Sequence, residues 1–185
     1  MSRTESRMLP LGTPIPDFKL PDTVSGRTLT ADDIAGKHAT LVMFICNHCP
    51  FVKHVLDELV RLGNDYDLGR VGMVAISSND VTGYPQDRPE RMAELARERH
   101  FPFPYLFDES QNVARAFNAA CTPDFYIFDG ERRLVYRGQL DDSRPGNGKP
   151  VTGQDLRAAI DALLAGDAVS EDQKPSIGCN IKWRE

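Results

Sequence analysis

Cys46 and Cys49, separated by Asn47 and His48, are the residues of this chain best suited to do chemistry. Two intervening residues let the sulfurs close into a small disulfide ring with little backbone movement. One sulfur can then attack a sulfur electrophile while the second resolves the mixed disulfide. Pro50 follows directly and suits the first turn of a helix. Free N–H groups and the positive dipole end there would stabilise a thiolate on the first sulfur. His48 lies inside the ring, where a cation or donor favours the reduced thiolate and makes the disulfide more oxidising. Lys53, four residues after Cys49, and His54 come one helical turn later and could reach back or simply line a solvated face. The other chemistry open to such a pair is metal binding by Cys46, Cys49 and His48. A structural zinc wants four ligands, and no second CxxC or HxxxH stands at finger spacing.

The elements that must position these residues follow from hydrophobic periodicity. Ala39–Ile45 is apolar throughout, as in a strand covered on both faces. After the cysteines, Val52, Val55, Leu56 and Leu59 mark one helix face, with Gly63 as the predicted end. Val71–Ser77 reads as a second buried strand. Asp87 is the predicted cap of another helix, with Pro89 and Glu90 in its first turn and Met92, Leu95 and Ala96 as its stripe. Phe103–Phe107 is a short strand or loop, and Asn112–Phe117 a short helix. Phe125–Phe128 and Leu134–Arg137 flank Asp129-Gly130, a hairpin signal. Thr152 with Asp155 predicts a capping box for a last helix that ends at Gly166. Before the first strand, Pro16–Leu20 and Arg27–Thr30 predict a small hairpin. The order predicts an α/β domain with a mixed central sheet flanked by helices and an N-terminal hairpin extension. Residues 1–14 form a loose arm, 15–166 the domain, and 167–185 a polar tail.

That tail carries one apolar patch, Ile177–Trp183, which has reason to stay apolar only if it docks on the domain. We expect it near the cysteine pair, with Cys179 in reach of Cys121 as an auxiliary dithiol. Asn79-Asp80 and Tyr84–Asp87 fall at the carboxyl end of the second strand, where α/β folds place sites, although an ordinary solvated loop is the safer reading.

Composition narrows the function classes. The chain has 185 residues, long enough to bury a core without staples. Its 22 basic against 27 acidic residues give a net charge of −5, which argues against a dedicated nucleic-acid binder. No apolar run approaches the ~20 residues that span a bilayer. The first ten residues lack the apolar core of about 7–15 residues that a secretory leader needs, so the expected location is cytoplasmic. In a reducing compartment, few and unevenly spaced cysteines point to catalysis or metal rather than staples.

The strand–CxxC–helix–strand order, followed by Cys121-Thr122-Pro123-Asp124-Phe125, resembles the thioredoxin superfamily. More narrowly it resembles the alkyl-hydroperoxide-reductase/thiol-specific-antioxidant branch and its redoxins, over roughly residues 10–165. The resemblance implies that Pro123 is a cis-proline packed beside the active sulfur, with Thr122 before it. It also implies a thiol–disulfide oxidoreductase, with Cys46 as nucleophile, Cys49 as resolver and Pro123 as the positioning element. No bound organic cofactor is implied. The expected partners are a disulfide-containing protein or small thiol substrate and a cellular reductant such as a thioredoxin or glutathione system. Departures from the family matter. The Pro-x-x-x-Thr/Ser-x-x-Cys signature of peroxiredoxins is missing at both sulfurs, which carry Met43 and Ala39, or Cys46 and Val42, at those offsets. An atypical thiol peroxidase is therefore the first alternative, and a metal-binding thioredoxin-like protein the second. The buried carboxylate of some thioredoxins has no counterpart in Thr40–Ile45, leaving proton transfer to His48, His54 or water.

Overall fold

A computed structural model describes residues 2–185; Met1 lies outside it. In chain order the elements are β1 (Arg3–Glu5), β2 (Lys19–Pro21), β3 (Thr28–Thr30), α1 (Ala31–Ile34), β4 (Ala39–Phe44) and α2 (Pro50–Asp65). Then come β5 (Val71–Ser77), α3 (Pro89–Glu98), β6 (Tyr105–Phe107), α4 (Asn112–Ala116) and β7 (Cys121–Thr122). The last are β8 (Asp124–Asp129), β9 (Leu134–Gly138), α5 (Gln154–Ala165) and β10 (Ile177–Asn180).

The central sheet has the order β6-β5-β4-β8-β9. Strands β4, β5 and β6 run parallel, while β8 and β9 are antiparallel, so the sheet is mixed as predicted. Strand β4 sits in the middle, which explains its unbroken apolar run. Leu41 and Met43 join the layer of α2, α3 and α5, whereas Val42 and Phe44 join the opposite layer with α1, α4 and the β2–β3 hairpin. The predicted stripe of α2, Val52, Val55, Leu56 and Leu59, is buried. The hairpin around Asp129-Gly130 forms, and Gly166 ends α5 in the left-handed region.

Several expectations are corrected. The arm is not loose throughout: Arg3–Glu5 pairs with Ile177–Asn180, and β10 in turn pairs with β7, making a second sheet β1-β10-β7. Gly63 does not end α2, which continues to Asp65. It packs where an added Cβ would lie 2.2 Å from Pro102 Cγ, so the glycine serves close contact rather than termination. Asp87 caps nothing; it ends a single 3-10 turn, Pro85–Asp87, and Arg88 precedes α3 without a side-chain cap. No capping box joins Thr152 and Asp155, because α5 starts from Gly153 and Asp155 accepts from Gln139 Nε2 instead. The short helix α1, with a genuine capping box between Thr30 and Asp33, escaped the sequence reading because only four residues carry it. No helix among the described residues is long and apolar enough to cross a membrane.

Candidate active site

Beyond the end of β4, Ile45 N–H still bonds Ile76 O at 3.0 Å, which carries the chain out along the sheet before it turns. Cys49 is the N-cap of α2, Pro50 its first residue, and the Cys49 carbonyl accepts from Val52 and Lys53 N–H. Both sulfurs are thereby held between the sheet and the helix N-terminus. Cys46 is 1% exposed and Cys49 0%. Thr122 meets them both: its Oγ1 lies 3.5 Å from Cys46 Sγ, and its carbonyl lies 3.4 Å from Cys49 Sγ. The Thr122–Pro123 peptide is cis, as the resemblance implied.

The two thiols do not share charge equally. Cys49 is lowered to about 5, chiefly by the hydrogen bond from Cys46, with further help from Cys179 and from the Val52 N–H in the first turn of α2. Cys46 is pushed well above the ordinary thiol range by the proton it shares with Cys49, then by burial and the Asp87 charge. The helix N-terminus thus serves the second sulfur, not the first as expected. The reason is local: Cys49 caps the helix, while Cys46 stops one turn short of it.

Asp87, which the sequence offered only as part of the Tyr84–Asp87 segment and as a helix cap, stands at the cysteine pair. Fully buried, it accepts from Asn47 N–H at 2.8 Å, His48 N–H at 3.3 Å and Asn79 Nδ2 at 2.9 Å. Its other contact is His48 Nδ1 at 2.5 Å. A carboxylate does therefore stand at the pair, supplied by the segment after β5 rather than by the strand before the cysteines. The proline-punctuated run Tyr84–Asp87 at a strand's carboxyl end was the available signal, but a helix-cap pattern explained the same residue. His48 also stacks on Tyr84, with ring centroids 5.2 Å apart. Asn47 is held from the far side by Tyr105 Oη.

The remaining predicted residues divide. The tail docks beside the pair, with Cys179 opposite Thr122 and Asn180 opposite Cys121 in the β10–β7 register. The side chain of Cys179 hydrogen-bonds towards Cys49, and the sulfur of Cys121 lies 3.7 Å from Pro123 O. Facing residues share a side of the sheet and successive ones alternate, so Cys179 lies on the side of Thr122 and Cys121 on the other. Lys53 is exposed on the outer face of α2. His54 Nε2 meets Ser143 Oγ at 2.7 Å and lines a groove with Pro123, Leu140 and Ile177. Cys46, His48 and Asp87 offer a sulfur, a nitrogen and an oxygen within 4.8 Å of one another, and His48 Nε2 is buried without a partner. Those three donors, rather than Cys46, Cys49 and His48, are the set on which a metal such as zinc would draw.

Comparison with solved structures finds a conserved protein from Geobacillus kaustophilus that is 59% identical, over 100% of this chain and 97% of the other, with a TM-score of 0.98. A protein from Sinorhizobium meliloti 1021, SMc02350, is 50% identical over 98% of each chain, with a TM-score of 0.95. At 18% identity, the thioredoxin domain of a thiol-disulfide oxidoreductase from Bacteroides vulgatus superposes with a TM-score of 0.61, over 72% of this chain and 91% of the other, and shows the fold alone. Comparison with curated proteins gives no match. The AhpC/TSA family model matches residues 11–137, which includes the cysteine pair, Asp87 and the Thr122–Pro123 bond. The chain is a thioredoxin-fold member of the AhpC/TSA family.

Proposed function

We propose that the protein is a thiol–disulfide oxidoreductase whose working couple is the Cys46–Cys49 dithiol and disulfide. The observation that carries this reading is the placement of both sulfurs around Thr122, at 3.5 and 3.4 Å, with one acidified at the start of α2. Disulfide formation releases two electrons and two protons from the pair to a substrate disulfide, which leaves as two thiols. The position of Cys49 at the start of α2 and its lowered pKa support one assignment of roles. Cys49, the more acidic sulfur, is the better leaving group when an external thiol opens the disulfide. The incoming sulfur is therefore joined to Cys46, and in the reverse direction Cys49 resolves that mixed disulfide. Asp87, with His48, supplies the polar contact on the Cys46 side. Thr122 and Pro123 position the pair, a protein disulfide or small disulfide is the substrate, and a cellular thiol system restores the reduced form.

A glutathione titration, with acid quenching, alkylation and mass mapping, tests the reading. The expected result is a reversible Cys46–Cys49 disulfide, with Cys49→Ser trapping a mixed disulfide on Cys46. Failure of these two cysteines to pair at any ratio would overturn it. Family membership favours a second reading, reduction of hydroperoxides. It would show as hydroperoxide consumption that disappears in Cys46→Ser.

A further inference from the structure

Two sulfurs suffice for the reaction just proposed, yet the fold brings a third to them. Strand β10 adds to the short edge β7, and its register sets Cys179 opposite Thr122, the residue that Cys46 and Cys49 also meet. Cys179 is 3% exposed, and its sulfur bonds with Cys49 and receives the Phe51 N–H, while its own N–H is directed at Cys49. Cys49 and Cys179 thus share the N–H groups of the first turn of α2. The approach depends on Gly178, because a Cβ there would lie 1.9 Å from Thr122 O. The tail is fastened on both sides of the cysteine. Ser176 N–H bonds Ser6 Oγ and its hydroxyl donates to Pro123 O, while Lys182 N–H bonds Asn79 Oδ1. An extended segment added to a sheet edge is a common way to present a peptide. Here the chain presents its own.

We propose that Cys179 is a third redox thiol, which takes over Cys49 from the Cys46–Cys49 disulfide. This rests on the function proposed above. The Cys179 sulfur attacks Cys49 Sγ; the Cys49–Cys179 bond forms, the Cys46–Cys49 bond breaks, and the proton from Cys179 ends on Cys46. No electrons enter or leave, so the chain remains oxidised by two electrons while Cys46 is a free thiol again. Register selects the sulfur attacked, since Cys179 stands opposite Thr122, whose carbonyl lies 3.4 Å from Cys49 Sγ. In the reduced protein, burial and the neighbouring Cys49 hold Cys179 up to about 12. Oxidation of the pair removes the Cys49 charge, while burial continues to hold the thiol up against the Phe51 N–H and Lys182, which act in the opposite sense. The oxidised linkage passes to the tail strand, and Cys121, whose sulfur lies against Pro123 O, takes no part.

The test uses the full-length protein incubated with oxidised glutathione, quenched in acid, alkylated and mapped. Wild type is expected to yield both Cys46–Cys49 and Cys49–Cys179 linked peptides. In Cys46→Ser, glutathione added to Cys49 should be displaced by Cys179, giving the Cys49–Cys179 disulfide. Adding Cys179→Ser to that variant should slow loss of the mixed disulfide by at least about 100-fold, as expected when an adjacent thiol is replaced by one from solution. If Cys46→Ser instead accumulates Cys49–glutathione with Cys179 alkylated, the inference fails, and a Cys46–Cys49 disulfide in wild type would leave the proposed function standing. If wild type forms no Cys46–Cys49 disulfide, the proposed function fails with it. Should Cys46→Ser not fold, absence of the Cys49–Cys179 peptide from oxidised wild type decides against the proposal on its own.

Discussion

Replacing Asp124 by asparagine should change how stability depends on pH. Asp124 is fully buried, just after Pro123, and accepts from Ser6 Oγ at 2.8 Å, Tyr126 Oη at 3.0 Å and Phe125 N–H at 3.1 Å. Burial outweighs these bonds and raises its carboxyl from 3.8 to about 7. A raised carboxyl means that the folded chain binds more protons than the unfolded chain between those two values, so stability falls as pH rises through that window and levels off above it. At 1.36 kcal/mol per unit, the whole shift corresponds to about 4 kcal/mol, of which about 3 kcal/mol falls between pH 5 and pH 8. Cys49 acts in the opposite direction, because its lowered pKa adds stability as pH rises from about 5. Wild type alone therefore mixes the two slopes. The comparison with Asp124→Asn at each pH isolates the carboxyl. Urea unfolding under reductant should show the variant gaining about 3 kcal/mol on wild type between pH 5 and pH 8, or about 6–12 °C in melting temperature. A wild type-to-variant difference that stays the same at both pH values would refute the reasoning, since it would mean that Asp124 folds already charged.

Two further predictions concern the site. Asp87→Asn removes a negative charge that holds Cys46 up, so the pH profile of Cys46 alkylation, followed by mass mapping, should move to lower pH; an unmoved profile would separate Asp87 from the sulfur chemistry. Gly178→Ala places a Cβ against Thr122 O, and should cost about 1–3 kcal/mol in urea unfolding while exposing Cys179 to alkylation in the native protein.

The composition of local segments determined a large part of this protein. Strand β4 is apolar on both faces, so it could only be central, and a CxxC followed by proline and an amphipathic stripe could only stand at a helix start. Those features are short-range, and the sulfur pair, the hairpin at Asp129-Gly130 and the helix stop at Gly166 follow from them. The resemblance then added the Thr122–Pro123 peptide bond, which no local pattern distinguishes from an ordinary trans bond.

What only the tertiary structure decided are contacts between residues far apart in the chain. Asp87 reads locally as a helix cap, and only the packing of the β5–α3 connection against Asn47 and His48 turns it into the carboxylate of the site. Cys179 reads as a tail cysteine near Cys121, and the β10–β7 register sets it opposite Thr122, on the Cys49 side, because facing residues share a side of the sheet while successive residues alternate. Which sulfur is acidic also depends on such contacts. The type and spacing of the cysteines state that charge can be stabilised at a helix start. The hydrogen bond between the two sulfurs, then the N–H groups of Val52 and Cys179 and the charge of Asp87, state on which sulfur it rests. Periodicity encodes which face of a segment is buried, but carries no information on which distant segment will cover it.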